Sequence, residues 1–222
     1  MDFWNYLSGN WGELLSQLLR HLQIIGIAIP ISIGVGVPLG ILISHNKRVS
    51  SVVIGIAGIA MTIPSLALFG FMVILLAPLK AGIGVPPAVV AIVIYSLLPI
   101  LRNTVVAVHE VSPGAIEAAK GMGMTRRQIL LKVRLPMAIP IIMAGVRNAA
   151  VMGVSVTTIG YLVGAQGLGY FIFNGLGRSR LSMVLLGAIS VAALGIGTNY
   201  GLLKLEKVLT PKGILISRDK DH

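Results

Sequence analysis

The sequence predicts an all-α integral membrane protein of about five transmembrane helices, and up to six, organised as a single domain over residues 1–222. Three observations predict it. Mean hydropathy is +0.91, with 55% apolar and 11% charged residues, far from the range of soluble domains. Five apolar stretches, roughly 22–44, 52–77, 86–108, 137–163 and 182–203, each supply the ~20 residues that cross a hydrocarbon core of about 30 Å. The net charge of +11 is unevenly shared between the connections. With the N-terminus outside, Lys47 and Arg48, the segment 109–136 and a tail 204–222 carrying Lys204, Lys207, Lys212, Arg218 and Lys220 all fall on the cytoplasmic side. Only Arg20, Lys80, Arg178 and Arg180 remain opposite. The even apolarity of 52–108 is what leaves room for a sixth span.

Residues 1–21 read as an N-terminal interfacial segment, because Phe3, Trp4, Tyr6 and Trp11 cluster there as aromatics do in the headgroup layer. Its acidic residues and aromatics occupy the place where a secretory signal has a basic region, so it is expected to be retained. Pro30, Pro38, Pro64, Pro99 and Pro140 lie in or at the ends of apolar runs, and there are 27 glycines. Close helix packing, with neighbours re-satisfying the freed carbonyls, explains them; soft points of a moving pathway are the other reading.

In the third span Tyr95 and Arg102 share a face, beside Ser96 and Asn103. In the fourth, Asn148, Met152 and Ser155 share a face, with Thr158 about 60° further round. Such groups either bond between helices, at about 0.6 kcal/mol each, or line a passage for a zwitterion or cation. Tyr95, Asn148, Met152, Ser155 and Thr158 are therefore the translocation pathway candidates. Arg102 and Arg147 are expected to snorkel from cytoplasmic helix ends. The glycine-rich GAQGLGYFIF (164–173) reads as a re-entrant or outer gate element, or as a surface loop.

Several chemistries are excluded by inspection. No lysine is followed by Ser or Thr, so there is no phosphate-binding P-loop. The four histidines stand apart, Cys is absent, and no carboxylate pair has metal-binding or acid–base spacing, so no catalytic residue, metal or cofactor is expected in this chain. Acidic residues are missing from the middle of the spans, so ion-driven transport is disfavoured and energy must come from elsewhere.

The interruption EAAKGMGMTRRQILLKVRLP (117–136) holds five of the eighteen basic residues and reads as two short helices. Ser112 is the expected N-cap of the first, with Pro113 at its first position. Gly121 and Gly123 offer the left-handed conformation that ends it. Thr125 and Gln128 have capping-box spacing for the second, which should stop before Pro136 and carry Ile129, Leu130 and Val133 on one apolar face. A basic loop on anionic lipid would gain about 1 kcal/mol per residue. A DNA-binding helix-turn-helix is argued against by the spans at both ends, so nucleic acid is not an expected partner. The remaining reading is a docking element on which a cytoplasmic partner pushes.

This segment resembles the EAA motif of permease subunits of bacterial ATP-binding cassette importers. Glu117-Ala118-Ala119 is followed at the family's spacing by Gly123 and then by Val133, Leu135 and Pro136, with Val133 replacing an isoleucine. The stretches TIPSLALFGFM (62–72), YSLLPILRNT (95–104), LPMAIPIIMAGVR (135–147), VGAQGLGYFI (163–172) and LTPKG (209–213) resemble the osmoprotectant permeases, which take up glycine betaine, carnitine, choline and related solutes.

The resemblance implies an importer-permease fold whose 109–136 segment is the coupling loop. Glu117 would be a polar anchor, Ala118 and Ala119 packing residues, Gly123 the turn, and Leu135-Pro136 the return to the membrane. Implied partners are a cytoplasmic ATPase subunit that binds ATP and magnesium, a second permease subunit, identical or paralogous, and an extracytoplasmic solute-binding protein, all at the bacterial plasma membrane. The spans show no aromatic cage, so affinity is expected to reside in the binding protein. An importer for methionine or another amino acid, and a membrane scaffold without a pathway, are the alternatives.

Overall fold

The computed structural model describes residues 3–211, so Met1, Asp2 and the end of the expected tail, with Lys212, Arg218 and Lys220, lie outside the described residues. Among them all regular structure is helical. A short α1 (Phe3–Gly9) precedes α2 (Trp11–Ser44), with Asn10 closing the gap as its Nδ2 donates to the Tyr6 carbonyl at 2.8 Å. The Tyr6 ring is buried against Phe171, Met183 and Leu186, which ties α1 to the later helices of the bundle.

Helix α2 thus starts within the expected interfacial segment 1–21. Nothing between Trp11 and Ser44 breaks the helix, and Gln17 and His21 are already buried in it. At about 1.5 Å per residue its 34 residues reach about 51 Å, more than the bilayer core needs. Pro30 and Pro38 are accommodated within it.

Asn46 turns the chain and caps α3 (Lys47–Thr62), its side chain accepting from the Arg48 and Val49 amides at 3.0 and 3.3 Å. The span expected over 52–77 is not straight: α3 and α4 (Ser65–Leu76) meet at 99°. Pro64 disfavours the helical conformation in Ile63, which sits at φ −66°, ψ 127°. The carbonyl freed there accepts the Tyr95 hydroxyl at 2.6 Å. Among the described residues four continuous helices are long and apolar enough to span, and counting this bent pair as one span makes five.

From Gly84, held at φ +91°, α5 (Val85–His109) runs through the centre of the bundle between α2 and α8 (Leu135–Ile159). Its Ala88, Ala91 and Ile92 share a core with Ile24, Ala28, Ala149 and Val154, all essentially inaccessible. Two crossings are close enough to require glycine. A Cβ at Gly40 would lie 2.7 Å from Thr104, and one at Gly145 would lie 2.6 Å from the Pro99 carbonyl oxygen.

Two short helices, α6 (Pro113–Gly121) and α7 (Arg126–Ile129), precede a π-helical turn (Leu130–Arg134) that leads without interruption into α8. The expected stop before Pro136 does not occur. Pro136 lacks the N–H that would continue α-type bonding, and the wider turn shifts the pattern by one, with the Leu135 amide donating to the Leu130 carbonyl. Arg126–Val163 is thus one rod of 38 residues.

A left-handed turn at Gly164 leads to α9 (Gly169–Gly177), whose nine residues reach only about 13.5 Å and cannot cross the membrane. It packs back along α10 (Leu181–Leu209). The tail expected from residue 204 begins instead inside α10, which ends where the Thr210 amide and hydroxyl both donate to the Glu206 carbonyl.

Gly145→Val sets a branched side chain against the α5 backbone. It is expected to lower the unfolding temperature of the solubilised protein through a loss on the order of 1–3 kcal/mol. Gly26→Ala, which meets no atom within 4 Å, should not lower it. Thermal melts followed by size exclusion compare the two.

Candidate functional site

The 109–136 segment is rigid for local reasons. At the end of α6 the Gly123 amide donates to the Lys120 carbonyl and the Met124 amide to the Ala119 carbonyl, the two bonds of a Schellman cap. Gly123 sits at φ +74° with open space around it, so its backbone conformation rather than packing demands glycine. Gly121, the other expected turn glycine, stays helical. Thr125 then starts α7 with both halves of the capping box: its amide donates to Gln128 Oε1 at 2.7 Å and its hydroxyl accepts from the Gln128 amide at 3.3 Å.

Ser112 stands at the expected N-cap position but makes no side-chain capping bond; Pro113 holds the first position as expected. Ala119 and Ile129 are buried, and Val133, Leu135 and Pro136 are half-buried. Glu117 and Ala118 face outwards beside Gly121, Met122 and Gly123, with Met122 74% exposed. Of the two alanines read as packing residues, only Ala119 packs within the chain. Behind this surface, Lys120, Arg126, Arg127 and Arg134 join His45 around a cavity of about 430 Å³ floored by Ile116, Ile129 and Leu130.

The pathway candidates divide. Asn148, Met152 and Ser155 line one open groove of about 670 Å³ between α8 and α10, completed by Gly195, Ile196, Asn199 and Tyr200. Asn148 and Met152 also line a second recess of about 300 Å³ with Met61, Leu98, Pro99, Arg102 and Asn103. Tyr95 lies elsewhere, committed to the Ile63 carbonyl, and Thr158 is buried with its hydroxyl donating to the Val154 carbonyl at 3.1 Å.

Asn199 and Tyr200 were missed as lining residues, although adjacent polar groups in an apolar span were the available signal. Arg147 does not snorkel: its guanidinium donates to Glu206 of α10 at 2.6 Å. No signal in the sequence joins residues 59 positions apart.

The glycine-rich connection after α8 is clamped from α2. Gln17 Oε1 accepts the Gly167 amide at 2.8 Å, and His21 Nδ1 accepts the Leu168 amide at 3.2 Å. That leaves the His21 proton on Nε2, which donates to the Val154 carbonyl at 3.1 Å. One buried imidazole therefore bridges α2, α8 and that connection. The 164–173 stretch is accordingly a held loop followed by a short helix.

A family model, the binding-protein-dependent transport system inner membrane component, matches residues 36–207. The chain belongs to that family. Among curated proteins, the osmoprotectant import permease protein OsmW of Salmonella typhimurium is 44% identical over 214 residues, covering 96% of this chain and all of that one. The carnitine transport permease protein OpuCB of Listeria monocytogenes is 42% identical, covering 96% of each. The glycine betaine/carnitine/choline transport system permease protein OpuCB of Bacillus subtilis is 40% identical, covering 94% of each.

Among solved structures, an inward-facing methionine transporter, MetNI, superposes with a TM-score of 0.79 at 22% identity, over 89% of this chain and 96% of that one. An amino acid transporter solved with histidines gives 0.71 at 19%, over 93% and 98%. These likenesses establish the fold. The chain is thus a multi-pass permease subunit of an ATP-binding cassette importer, a transport subunit rather than an enzyme, and its family implies an ATPase and further subunits as partners.

Thr125→Val removes one half of the capping box and about 1 kcal/mol of local stability. Hydrogen exchange of the peptide containing Gln128 should accelerate roughly fivefold, while peptides from the centre of α5 exchange as before.

Proposed function

We propose that this permease carries compatible solutes of the glycine betaine, carnitine and choline class into the cell. In this reading the N-terminus is extracytoplasmic, and the 109–136 segment and C-terminus are cytoplasmic. Two permease subunits, identical or paralogous, enclose the passage. A separate pair of ATPase subunits binds ATP and magnesium, and an extracytoplasmic binding protein delivers the solute. The solute class is supported by 40–44% identity to osmoprotectant, carnitine and betaine/choline permeases over nearly the whole chain.

One observation carries the coupling mechanism: α7, which ends the 109–136 loop, and α8, a wall of the groove, form one rod. The outward surface of α6, with Glu117, Ala118 and Gly123, receives the ATPase. The capped turn transmits displacement because its two helices cannot hinge freely about Gly123. The rod Arg126–Val163 continues that displacement to Asn148, Met152 and Ser155, which line the groove. Rigid-body movement of α8 against α10 then changes the groove's width, the kind of rearrangement by which packed helices switch. Polar groups in a groove open on the side of the bundle are costly against lipid, which supports a second permease subunit covering them.

Uptake by proteoliposomes holding the permease with its ATPase and binding protein tests the solute class. ATP-dependent accumulation of radiolabelled glycine betaine, carnitine or choline is expected, and none of methionine. Accumulation of methionine alone would replace the solute assignment while leaving the coupling intact.

Gly123→Val forces a branched residue into the left-handed region, at about 1–2 kcal/mol. It is expected to cut solute-stimulated ATP hydrolysis and uptake by tenfold or more, with the permease still inserted. Wild-type rates in this variant would remove the turn from the mechanism.

A further inference from the structure

Two recesses flank the turn that joins the 109–136 segment to α8. In the first, the cavity of about 430 Å³ described above, Lys120, Arg126, Arg127 and Arg134 converge with His45. No carboxylate lines it, and among the described residues none of these four cations has an ion-pair partner. Arg134 is half-buried, and its Nε is sealed from solvent without a hydrogen-bond partner. A charged donor left unmade in this way is costly, and it points to a ligand that accepts from it.

The second recess begins one residue further round the same turn. Leu130 and Arg134 line the cavity, whereas Leu131 and Leu135 line a groove of about 410 Å³ whose walls are wholly apolar. Ile139 and Val146 continue it along α8, with Val37 from α2 and Leu205 from α10. From Leu131 to Val146 the rod advances about 22 Å, more than the roughly 15 Å of half a bilayer core. The groove is open, with Leu131, Leu205 and Leu209 about half exposed. Val146 and Asn148 stand about 200° apart around α8, so the apolar groove and the polar one face different ways. A second permease subunit over the polar groove therefore leaves the apolar one to lipid.

Both recesses meet at the level where the apolar helices stop. Helix α2 ends at Ser44, beside His45, and α8 begins at Leu135, beside Arg134. Cations at that level meet lipid headgroups, and an apolar groove running on from them meets acyl chains.

We propose that the cavity and the groove together bind one anionic phospholipid. Its phosphodiester sits in the cavity, taking charge-assisted hydrogen bonds from Arg126, Arg127 and the unpartnered Nε of Arg134, with Lys120 beside it. One acyl chain lies along Leu131, Leu135 and Ile139. A free phosphate leaves the groove empty, and so does an acidic protein surface; an anionic amphiphile fills both recesses. The bound lipid ties the end of α2 to the rod that continues as α8. This assignment does not depend on which solute is carried.

The test counts lipids on the complete transporter, permease and ATPase subunits together, by native mass spectrometry from an uncharged detergent. Dioleoyl phosphatidylglycerol is titrated against dioleoyl phosphatidylcholine, which has the same chains and phosphate but no net charge. Phosphatidylglycerol should be preferred on the order of tenfold, and R134Q or R127Q should each weaken its binding on the order of tenfold. K132Q removes the same charge from the same turn, but Lys132 is exposed and lines neither recess, so it should leave the preference in place. Arg127 is also exposed, so R127Q reads the loss even where R134Q folds poorly. Glycerophosphoglycerol, the headgroup without chains, and inorganic phosphate should not displace the lipid at millimolar concentration.

Equal losses in R127Q and K132Q would reduce the effect to diffuse surface charge and overturn the site. Full displacement by inorganic phosphate or by the chainless headgroup would make the ligand a free anion and overturn the lipid. No preference in the complete transporter would overturn the proposal outright, the ATPase then being what covers these cations.

Discussion

Backbone polar groups inside a bilayer have no water to turn to, and that constraint organises this molecule more than any other. Each departure from a straight helix is accompanied by a specific replacement partner. Where Pro64 ends α3, the Ile63 carbonyl is met by Tyr95 from α5. Where Pro136 would stop the helix, a π turn re-pairs the backbone one residue further back. Where the connection after α8 leaves two amides free, Gln17 and His21 of α2 accept them. Tyr95, Gln17 and His21, all buried, are therefore structural fasteners, and they hold the broken elements against the central helices.

The groove follows a different rule. Its polar groups lie on the open side of α8 and α10, away from the core that α5 forms with α2 and α8. Because α7 runs without interruption into α8, the end of the 109–136 segment and one wall of the groove belong to one rod. The Schellman cap and capping box remove the slack that a glycine-rich link would otherwise introduce at Gly123.

Much of the loop could be read from sequence because its signals are local. Pro113, Gly123 and the Thr125–Gln128 pair act within four residues of themselves, and each was found in its expected role. Ser112 was misread because a residue in the right position still needs the right side-chain direction. The two errors at span boundaries have one origin. Hydropathy reports where the chain tolerates lipid, not where a helix begins or bends. The apolar run 52–77 therefore concealed a right-angled break, and the polar turns before residue 22 concealed the start of α2.

By itself the sequence determined the class of protein, the sidedness its charges favour and much of the local architecture of the 109–136 segment. All of these depend on composition or on spacing within a turn or two. Tertiary structure alone decided which polar residues share the groove, removing Tyr95 and Thr158 from it and adding Asn199 and Tyr200. It alone paired Arg147 with Glu206 and set His21 between three elements. Those outcomes depend on how helices distant in sequence are rotated about their own axes. That rotation is fixed by close contacts such as Gly145 against Pro99, which no periodicity in a single helix can reveal.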